Sequence, residues 1–342
     1  MVSDWRLYAG TGQPHDGIDR LPDPPAWREF RGEPVRRLAE YDSALTVSEL
    51  HQAKTYKPQL KTIERVNAAL YLRRPLLVTG KPGTGKSTLA AAVAYELKLG
   101  PALYWPITSR TTQQHGLYTY DPLSRLHASA RVKGELTGSG SDEVGEYLTL
   151  GPLGAAMLPH ERPRVLLIDE IDKSDIDLPN DLLTIFEKGE YEIPELARMG
   201  SDNLARVRVA GESNPVEIRG STVRCNAFPL VILTSNGERE FPPAFLRRCI
   251  ILELDEPSRT ELNAIVREHL RELADGGADV IEQFLARRTR GELATDQLLN
   301  AIYFLHHADR AGPLPDREAL IDAVMPFLAA TTLDGEYDLD QL

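Results

Sequence analysis

The sequence predicts an α/β fold built on a parallel sheet and followed by a helical domain. Short apolar runs alternate with helical segments up to about residue 257, and a glycine-rich loop joins the first run to a helix. Beyond that point only helical periodicity remains. Continuous apolar runs are typical of parallel strands, because helices cover both faces of such a sheet. The five predicted strands are 75–78, 102–107, 165–168, 230–233 and 250–254.

The first element is an arm over residues 1–45. Five prolines lie in it, and proline blocks regular helices and central strands, so the arm is predicted to be extended. It also holds Trp5 and Trp27, whereas disordered segments are poor in aromatic residues. We therefore expect the arm to dock, either on its own core or on a neighbouring subunit.

Three further segments complete the predicted organisation. An α/β domain spans 46–257, a helical domain spans 258–333, and an acidic tail spans 334–342. Within the α/β domain, the stretch 134–145 (GELTGSGSDEVG) has the composition of a flexible loop.

Composition narrows the function classes. No apolar run approaches the roughly 20 residues of a membrane helix, and no signal peptide is recognisable. The two cysteines, Cys225 and Cys249, give no disulfide framework and suggest a reducing cytoplasm. The formal net charge of −12 does not favour a nucleic-acid partner.

The stretch 80–87 (GKPGTGKS) matches the phosphate-binding loop G-x-x-x-x-G-K-[ST] completely. It follows a predicted strand and opens a predicted helix, which is the context that the motif requires. Backbone N–H groups and the helix N-terminus attract phosphate oxygens, Lys86 is expected to reach the β and γ phosphates, and Ser87 to ligate Mg²⁺. The predicted nucleotide-binding residues of this loop are Gly80, Lys81, Pro82, Gly83, Thr84, Gly85, Lys86, Ser87 and Thr88.

Polar groups follow two of the other predicted strands. The strand at 165–168 ends in Asp169 and Glu170. We predict that Asp169 holds the Mg²⁺ site and that Glu170 is the general base that polarises the attacking water. Asp172 is expected to be structural. Asn236, after the strand at 230–233, could orient that water, although a turn-forming role is the alternative.

Arg247 and Arg248 immediately precede the last predicted strand. A guanidinium contributed by a neighbouring subunit can stabilise the charge that develops on a γ-phosphate. We predict this role for one or both arginines, the alternative being a surface salt bridge.

These motifs resemble the MoxR group of AAA+ ATPases over residues 60–305. The resemblance rests on the phosphate loop, on ITSRTTQ from Ile107 and YLTLGPLG from Tyr147, and on LLIDEIDKSDIDLPNDLL from Leu166. It rests further on VILTSNGEREFPPAFLRRC from Val231. The arm at 1–45 lies outside the family core.

The resemblance implies an AAA+ domain whose five-stranded parallel sheet has the order 5-1-4-3-2, with a helical lid and ATP at the interfaces of a ring, usually a hexamer. It implies a chaperone-like motor that remodels a client protein, often one with a von Willebrand factor A domain. An insert at 117–147 and a hairpin at 210–223 would face the pore. A nucleotide-sensing arginine of the lid would be Arg287, Arg288 or Arg290; the sequence does not rank them.

Two other functions stay open at this stage. A nucleic-acid-linked or GTP-driven translocase would show turnover stimulated by DNA, and a non-enzymatic ATP-binding scaffold would show no turnover. The histidines point to no metal other than Mg²⁺.

Overall fold

The computed structural model describes residues 5–37, 45–131, 144–198, 200, 203–210, 212, 214–271, 277–288, 291–311, 316–325 and 328–329. The chain forms two compact units. The α/β unit comprises Met1–Thr79 and Lys86–Glu253, and the C-terminal unit comprises Gly80–Gly85 and Leu254–Leu342. The predicted flexible loop at 134–145 lies outside the described residues up to residue 143, as does the acidic tail.

A five-stranded parallel sheet forms the centre of the α/β unit. Counting only these strands in chain order, the sheet order is 5-1-4-3-2, which confirms the predicted fold class and order. Shorter strands intervene in the sequence, so the five are β1 Leu76–Thr79, β2 Leu103–Pro106, β5 Val165–Asp169, β10 Leu230–Ser235 and β11 Ile250–Glu253.

Burial explains why the apolar runs became these strands. Every residue of β10 is buried, and only the last residue of β5, Asp169, is partly exposed. Helices cover the sheet, with α3 (Lys86–Glu96) against β5 and β10 and α2 (Leu60–Leu72) against β1 and β11. The helices of this unit are α1 Val47–Thr55, α2 Leu60–Leu72, α3 Lys86–Glu96, α4 Gln113–Leu117, α5 Pro122–Arg131, α6 Pro152–Ala156, α7 Leu178–Lys188, α8 Pro194–Ala197 and α9 Pro243–Leu246.

Local signals set the helix ends. Helix α1 begins after Thr46, whose hydroxyl accepts a hydrogen bond from the Glu49 N–H in a capping box. Helix α7 carries Pro179 in its first turn and ends at Gly189, whose φ of 64° is the left-handed conformation that glycine adopts without strain.

Two smaller sheets combine strands from the predicted insert at 117–147 and hairpin at 210–223 with strands that lie outside those ranges. A four-stranded sheet has the order β3 Tyr118–Tyr120, β4 Leu148–Leu150, β7 Leu204–Val209 and β8 Val216–Arg219. Strand β7 alternates exposed and buried residues, which is typical of a strand with one covered face. A two-stranded sheet joins β6 Glu190–Glu192 to β9 Thr222–Arg224.

The N-terminal arm packs on the α/β unit of its own chain. Leu7 and Tyr8 are each 1% exposed. Short 3-10 turns follow at Gly17–Arg20 and Ala26–Arg28. Of the two alternatives for docking, the structure therefore shows the intramolecular one for residues 5–37.

The C-terminal unit is a helical bundle around Phe284, Leu298 and Ile302. Its helices are α10 Arg259–Leu270, α11 Ala278–Arg288, α12 Thr295–Ala311 and α13 Arg317–Val324. The prediction of helices alone was incomplete, because β12 Gly291–Glu292 pairs with β13 Leu328–Ala329. Two-residue strands are too short to produce a periodic pattern.

Candidate nucleotide-binding and hydrolysis site

The glycine-rich loop connects β1 to α3 through conformations that require glycine. Gly80, Gly83 and Gly85 have φ values of 150°, 75° and 83°. Side chains strongly disfavour such angles, so these glycines let the backbone curl and turn its N–H groups inward. A chain segment of this shape fits a polyphosphate.

Within the C-terminal unit, the loop contacts the segment that leads into α12. A Cβ added to Gly83 would lie 2.5 Å from the Ala294 Cα, so only glycine allows this close approach. On the same loop, the Lys81 ammonium lies 3.2 Å from a Glu256 carboxylate oxygen. The Thr84 hydroxyl donates to the Lys81 carbonyl at 2.9 Å.

Lys86 and Ser87 open α3 in the α/β unit, and Thr88 follows them. Lys86 is 7% exposed. The first turn of a helix presents N–H groups that have no partner inside the helix and carry partial positive charge. An ammonium and a hydroxyl at this position therefore favour an anion.

Asp169 collects three hydroxyl groups from three different elements. Its Oδ1 accepts from the Ser87 hydroxyl at 2.7 Å and from the Thr234 hydroxyl at 2.6 Å. Its Oδ2 accepts from the Tyr104 hydroxyl at 3.3 Å. Burial, followed by the Asp169 charge, raises the pKa of Tyr104 above its ordinary value. Hydroxyl and carboxylate oxygens are the ligands that Mg²⁺ prefers, so the pairing of Ser87 with Asp169 fits the predicted metal site.

Glu170 is held in an unusual backbone conformation. Its φ of 60° and ψ of 49° lie in the left-handed region, which costs a non-glycine residue about 1 kcal/mol or more. Its N–H donates to the Thr234 hydroxyl at 2.8 Å, and its carboxylate accepts from the Lys173 ammonium at 2.8 Å.

Thr234 is the residue that connects the two acids, and it is fully buried. A single hydroxyl donates to Asp169 and accepts from the Glu170 N–H. Sequence reasoning missed Thr234 and Tyr104, and considered only Asn236 after the fourth strand. The available signal was a hydroxyl residue inside an otherwise apolar strand.

The Asn236 loop is pinned beside the Glu170 turn by Asp172. The Asp172 carboxylate accepts from the Asn236 N–H at 2.8 Å and from the Glu238 N–H at 3.2 Å. Arg239 returns a hydrogen bond to the Ser174 carbonyl at 2.8 Å. Asp172 thus supports the structure, and it fixes the backbone of Asn236.

Arg247 and Arg248 lie at the other end of the sheet. They follow α9 and precede β11, whose first residue donates its N–H to the Pro75 carbonyl just before β1. Asp169 ends its own strand, so it lies at the carboxyl end of the same parallel sheet. Strands of four to six residues at about 3.3 Å per residue separate the two ends by about 13–20 Å.

The two arginines differ in their contacts. Arg248 donates to the Glu187 carboxylate and, at 3.1 Å, to the Ala244 carbonyl. The Arg247 side chain is exposed, and its guanidinium makes no hydrogen bond or ion pair within the described part of the chain. Its backbone is engaged: the Arg247 N–H donates to the Pro243 carbonyl at 3.2 Å, and its carbonyl accepts from Arg74 at 3.5 Å.

Arg287 and Arg288, two of the three candidate sensor arginines, also differ in their contacts. Arg288 donates to the Pro257 carbonyl at 2.8 Å and lies 3.8 Å from Glu256, the acid that pairs with Lys81 of the glycine-rich loop. Arg287 pairs instead with Asp322 of α13. Arg290 lies outside the described residues.

Among the residues that the structure describes, no helix is long and apolar enough to cross a membrane. Both thiols are buried, and burial raises the pKa of Cys225 and of Cys249 to about 12 each. At neutral pH the thiolate forms that react and bind metals are therefore scarce.

Residues 75–228 match the AAA domain family, dynein-related subfamily. A comparison with curated proteins gives no match. Two solved structures are similar in part. PCH-2 from C. elegans has 16% identity and a TM-score of 0.40, covering 81% of this chain and 72% of that chain. A RuvB mutant from Thermotoga maritima has 18% identity and a TM-score of 0.39, covering 77% of this chain and 66% of that chain.

The family match starts at the strand before the glycine-rich loop and ends just before β10. It therefore contains β1, the loop and the acidic end of β5, whereas β10, which lies between β1 and β5 in the sheet, follows the matched residues. With the observed sheet order, the match supports an AAA domain that includes residues 75–228.

Proposed function

We propose that this chain is a Mg²⁺-dependent ATPase of the MoxR type, which assembles into a ring and uses ATP to remodel a client protein. The observation that carries the hydrolytic part is the hydrogen-bonded series Ser87–Asp169–Thr234–Glu170 beside the start of α3. A metal ligand and a base are held in fixed relation there by one buried hydroxyl.

In this proposal, each residue has a defined task. Lys86 neutralises the β and γ phosphates, and Ser87 and Asp169 hold Mg²⁺, which supplies charge neutralisation at those phosphates. Glu170 accepts a proton from water as the water oxygen attacks the γ-phosphorus. The bond from that phosphorus to the β–γ bridging oxygen breaks, and ADP and phosphate leave. Asn236 orients the water, and Arg288 senses the nucleotide.

Assembly is supported by the position of Arg247. Its guanidinium lies at the end of the sheet opposite Asp169 and Glu170, too far from them to act on a phosphate held there. We propose that Arg247 acts on the nucleotide of a neighbouring copy and that Arg248, held by Glu187, positions it. The ring is a hexamer in this proposal, as the MoxR resemblance implies.

Mixing two inactive variants tests this function. Lys86→Ala removes the phosphate cation, and Arg247→Ala removes the finger. In equimolar random rings, roughly a quarter of the interfaces join an intact Lys86 to an intact Arg247 of the neighbour, so up to that share of parental turnover should return. If differently tagged variants co-purify in mixed rings and activity stays at the sum of the parts, trans action is wrong.

The client is tested with a variant that binds ATP without hydrolysing it. In a pull-down with ATP, Glu170→Gln should retain a von Willebrand factor A domain protein that a neighbouring gene encodes. Lys86→Ala should not retain it. Turnover stimulated by DNA, or a strong preference for GTP, would instead support the translocase alternative.

A further inference from the structure

The N-terminal arm is fastened to the α/β unit by two buried polar side chains. The carboxylate of Glu96, at the end of α3, accepts four backbone N–H groups of residues 9–12 at 2.6–3.1 Å. Asn67 of α2 accepts from the Leu7 and Tyr8 N–H groups and donates to the Tyr8 carbonyl. Hydrogen bonds to a buried charge are strong, so the start of the arm is firmly placed.

A second set of anchors holds the arm around Trp27. Arg73 donates to the Pro22 carbonyl at 2.5 Å. Arg28 donates to the Phe186 and Arg73 carbonyls at 2.7 Å each and lies 5.0 Å from the centroid of the Phe228 ring. Between these anchors, Ala26–Arg28 forms a 3-10 turn after two prolines.

Trp27 is nonetheless 79% exposed. The anchoring residues on both sides hold its backbone, so its exposure does not reflect a loose segment. An uncovered aromatic side chain on a held backbone is a typical anchor of a protein interface, because little backbone entropy is lost when it is buried.

The turn at residues 71–74, between α2 and β1, joins Trp27 to other uncovered groups. The Tyr71 hydroxyl donates to the Trp5 carbonyl, and the two rings are 6.1 Å apart. Trp5 and Leu72 are 52% and 42% exposed. Arg74 reaches the Arg247 carbonyl. We call this surface the Trp27 face: Trp5, Trp27, Leu72, Arg74 and Arg247.

We propose that the Trp27 face docks on a second copy of this chain, so that the arm forms part of the contact that delivers Arg247. This rests on the proposed trans action of Arg247. Two observations favour a second copy as the partner. The face carries Arg74 and Arg247 while the chain carries a net charge of −12, so another copy offers acidic surface to these arginines. The exposed apolar side chains of the Trp27 face also lie beside Arg247, which in the proposed function acts on a phosphate bound by another copy.

Self-association of Trp27→Ala tests the proposal, measured by sedimentation with a non-hydrolysable ATP analogue. The dissociation constant should rise at least about tenfold, as expected for loss of an aromatic interface anchor. Turnover per subunit should fall at low protein concentration and recover at high concentration, because the hydrolytic residues are intact. Leu60→Ala is the matched control, since Leu60 is 60% exposed at the opposite end of α2.

Fluorescence gives a direct readout of coverage. Trp5→Phe leaves two tryptophans, exposed Trp27 and buried Trp105. Acrylamide quenching should therefore report Trp27, and it should decrease as this variant assembles. Unchanged quenching in assembled protein, or parental self-association of Trp27→Ala, would overturn the proposal.

The outcome is separable from that of the proposed function. If Lys86→Ala and Arg247→Ala complement each other while Trp27→Ala assembles like the parent, only the docking proposal is wrong. If Trp27→Ala weakens assembly while complementation fails in mixed rings, docking stands and the trans role of Arg247 is wrong. A parental chain that stays monomeric with nucleotide overturns both.

Discussion

The two ends of the central parallel sheet are built on opposite principles. At the carboxyl end, the Asp169 and Glu170 carboxylates accept from hydroxyl and ammonium donors of the same chain, and the Glu170 N–H donates to the Thr234 hydroxyl. At the amino end, Arg247 presents a guanidinium with no partner in the described part of the chain, beside exposed Trp27 and Leu72.

The difference agrees with the two roles that the proposed function gives to these ends. A metal ligand and a base need fixed geometry, and internal hydrogen bonds provide it. An arginine that serves another molecule must stay unsatisfied until that molecule arrives. In the proposed function, the carboxyl end therefore binds nucleotide with residues of one chain, and the amino end acts on the nucleotide of a partner. The following predictions test this contrast, from the largest expected effect to the smallest.

The largest effects belong to the carboxyl end. Lys86→Ala should abolish nucleotide binding, because the phosphates lose their main cation. Glu170→Gln should bind ATP and lose hydrolysis by on the order of a thousandfold, because an amide cannot accept the proton of the attacking water. Fluorescent-nucleotide binding and phosphate release measure the two properties. If Glu170→Gln hydrolyses ATP at the parental rate, Glu170 is not the general base.

At the amino end, the two arginines should differ. Arg247→Ala should retain ATP binding and lose hydrolysis by on the order of a thousandfold, as an arginine finger does. Arg248→Ala should lose much less, because Arg248 is engaged by Glu187. Steady-state turnover at saturating ATP measures the loss of hydrolysis in each variant. Equal losses would show that both act together, and loss of ATP binding or of folding would make the pair structural.

Glu96→Gln should loosen the arm that carries Trp27. The amide has one acceptor oxygen and turns an NH₂ group toward backbone N–H donors, which should lower the free energy of unfolding by about 2–3 kcal/mol. Urea denaturation measures this change, and limited proteolysis should cut the arm faster. Glu64→Gln on the exposed face of α2 is the control. Parental stability and parental proteolysis would show that Glu96 does not hold the arm.

Thr234→Val tests the bridge between the two acids. Valine has nearly the shape of threonine and lacks the hydroxyl, so Asp169 and the Glu170 N–H each lose a partner. We expect turnover to fall about tenfold with a smaller change in ATP affinity, since a positioning hydrogen bond contributes roughly 1.5 kcal/mol. Thr234→Ser should recover most of the loss. If serine and valine behave alike, the defect is one of packing.

The smallest effect concerns His160, which precedes β5 at the amino end. Burial lowers the pKa of His160 from 6.5 to about 4, with Arg164 and Arg36 adding to the shift. The unfolded chain therefore binds a proton that the folded chain does not, and stability is lost as pH falls from 6.5 toward 4. The loss should reach about 1 kcal/mol by pH 5.5.

His160→Gln should remove that part of the pH dependence, whatever it does to stability at neutral pH. The comparison uses the difference in unfolding free energy between pH 7 and pH 5.5 for both proteins. The same difference in both would contradict a neutral, buried His160.

Much of this protein follows from the sequence alone. The glycine-rich loop, the acidic end of β5 and the buried strands are local features, because steric limits on φ and runs of apolar residues leave few alternatives. They predict the sheet, the helical C-terminal unit and the principal residues of the nucleotide site.

Contacts between residues that are distant in the sequence could be identified only from the tertiary structure. Thr234 and Tyr104 join Asp169 because strand order places β10 and β2 on either side of β5. The ranking of Arg247 above Arg248, and of Arg288 above Arg287, rests on which carboxylate lies within reach. Proline spacing indicates that the arm is extended, but its path depends on Glu96 and Asn67, which offer acceptors to its backbone. A local pattern specifies what a segment can form, and the packed fold specifies which distant groups it meets.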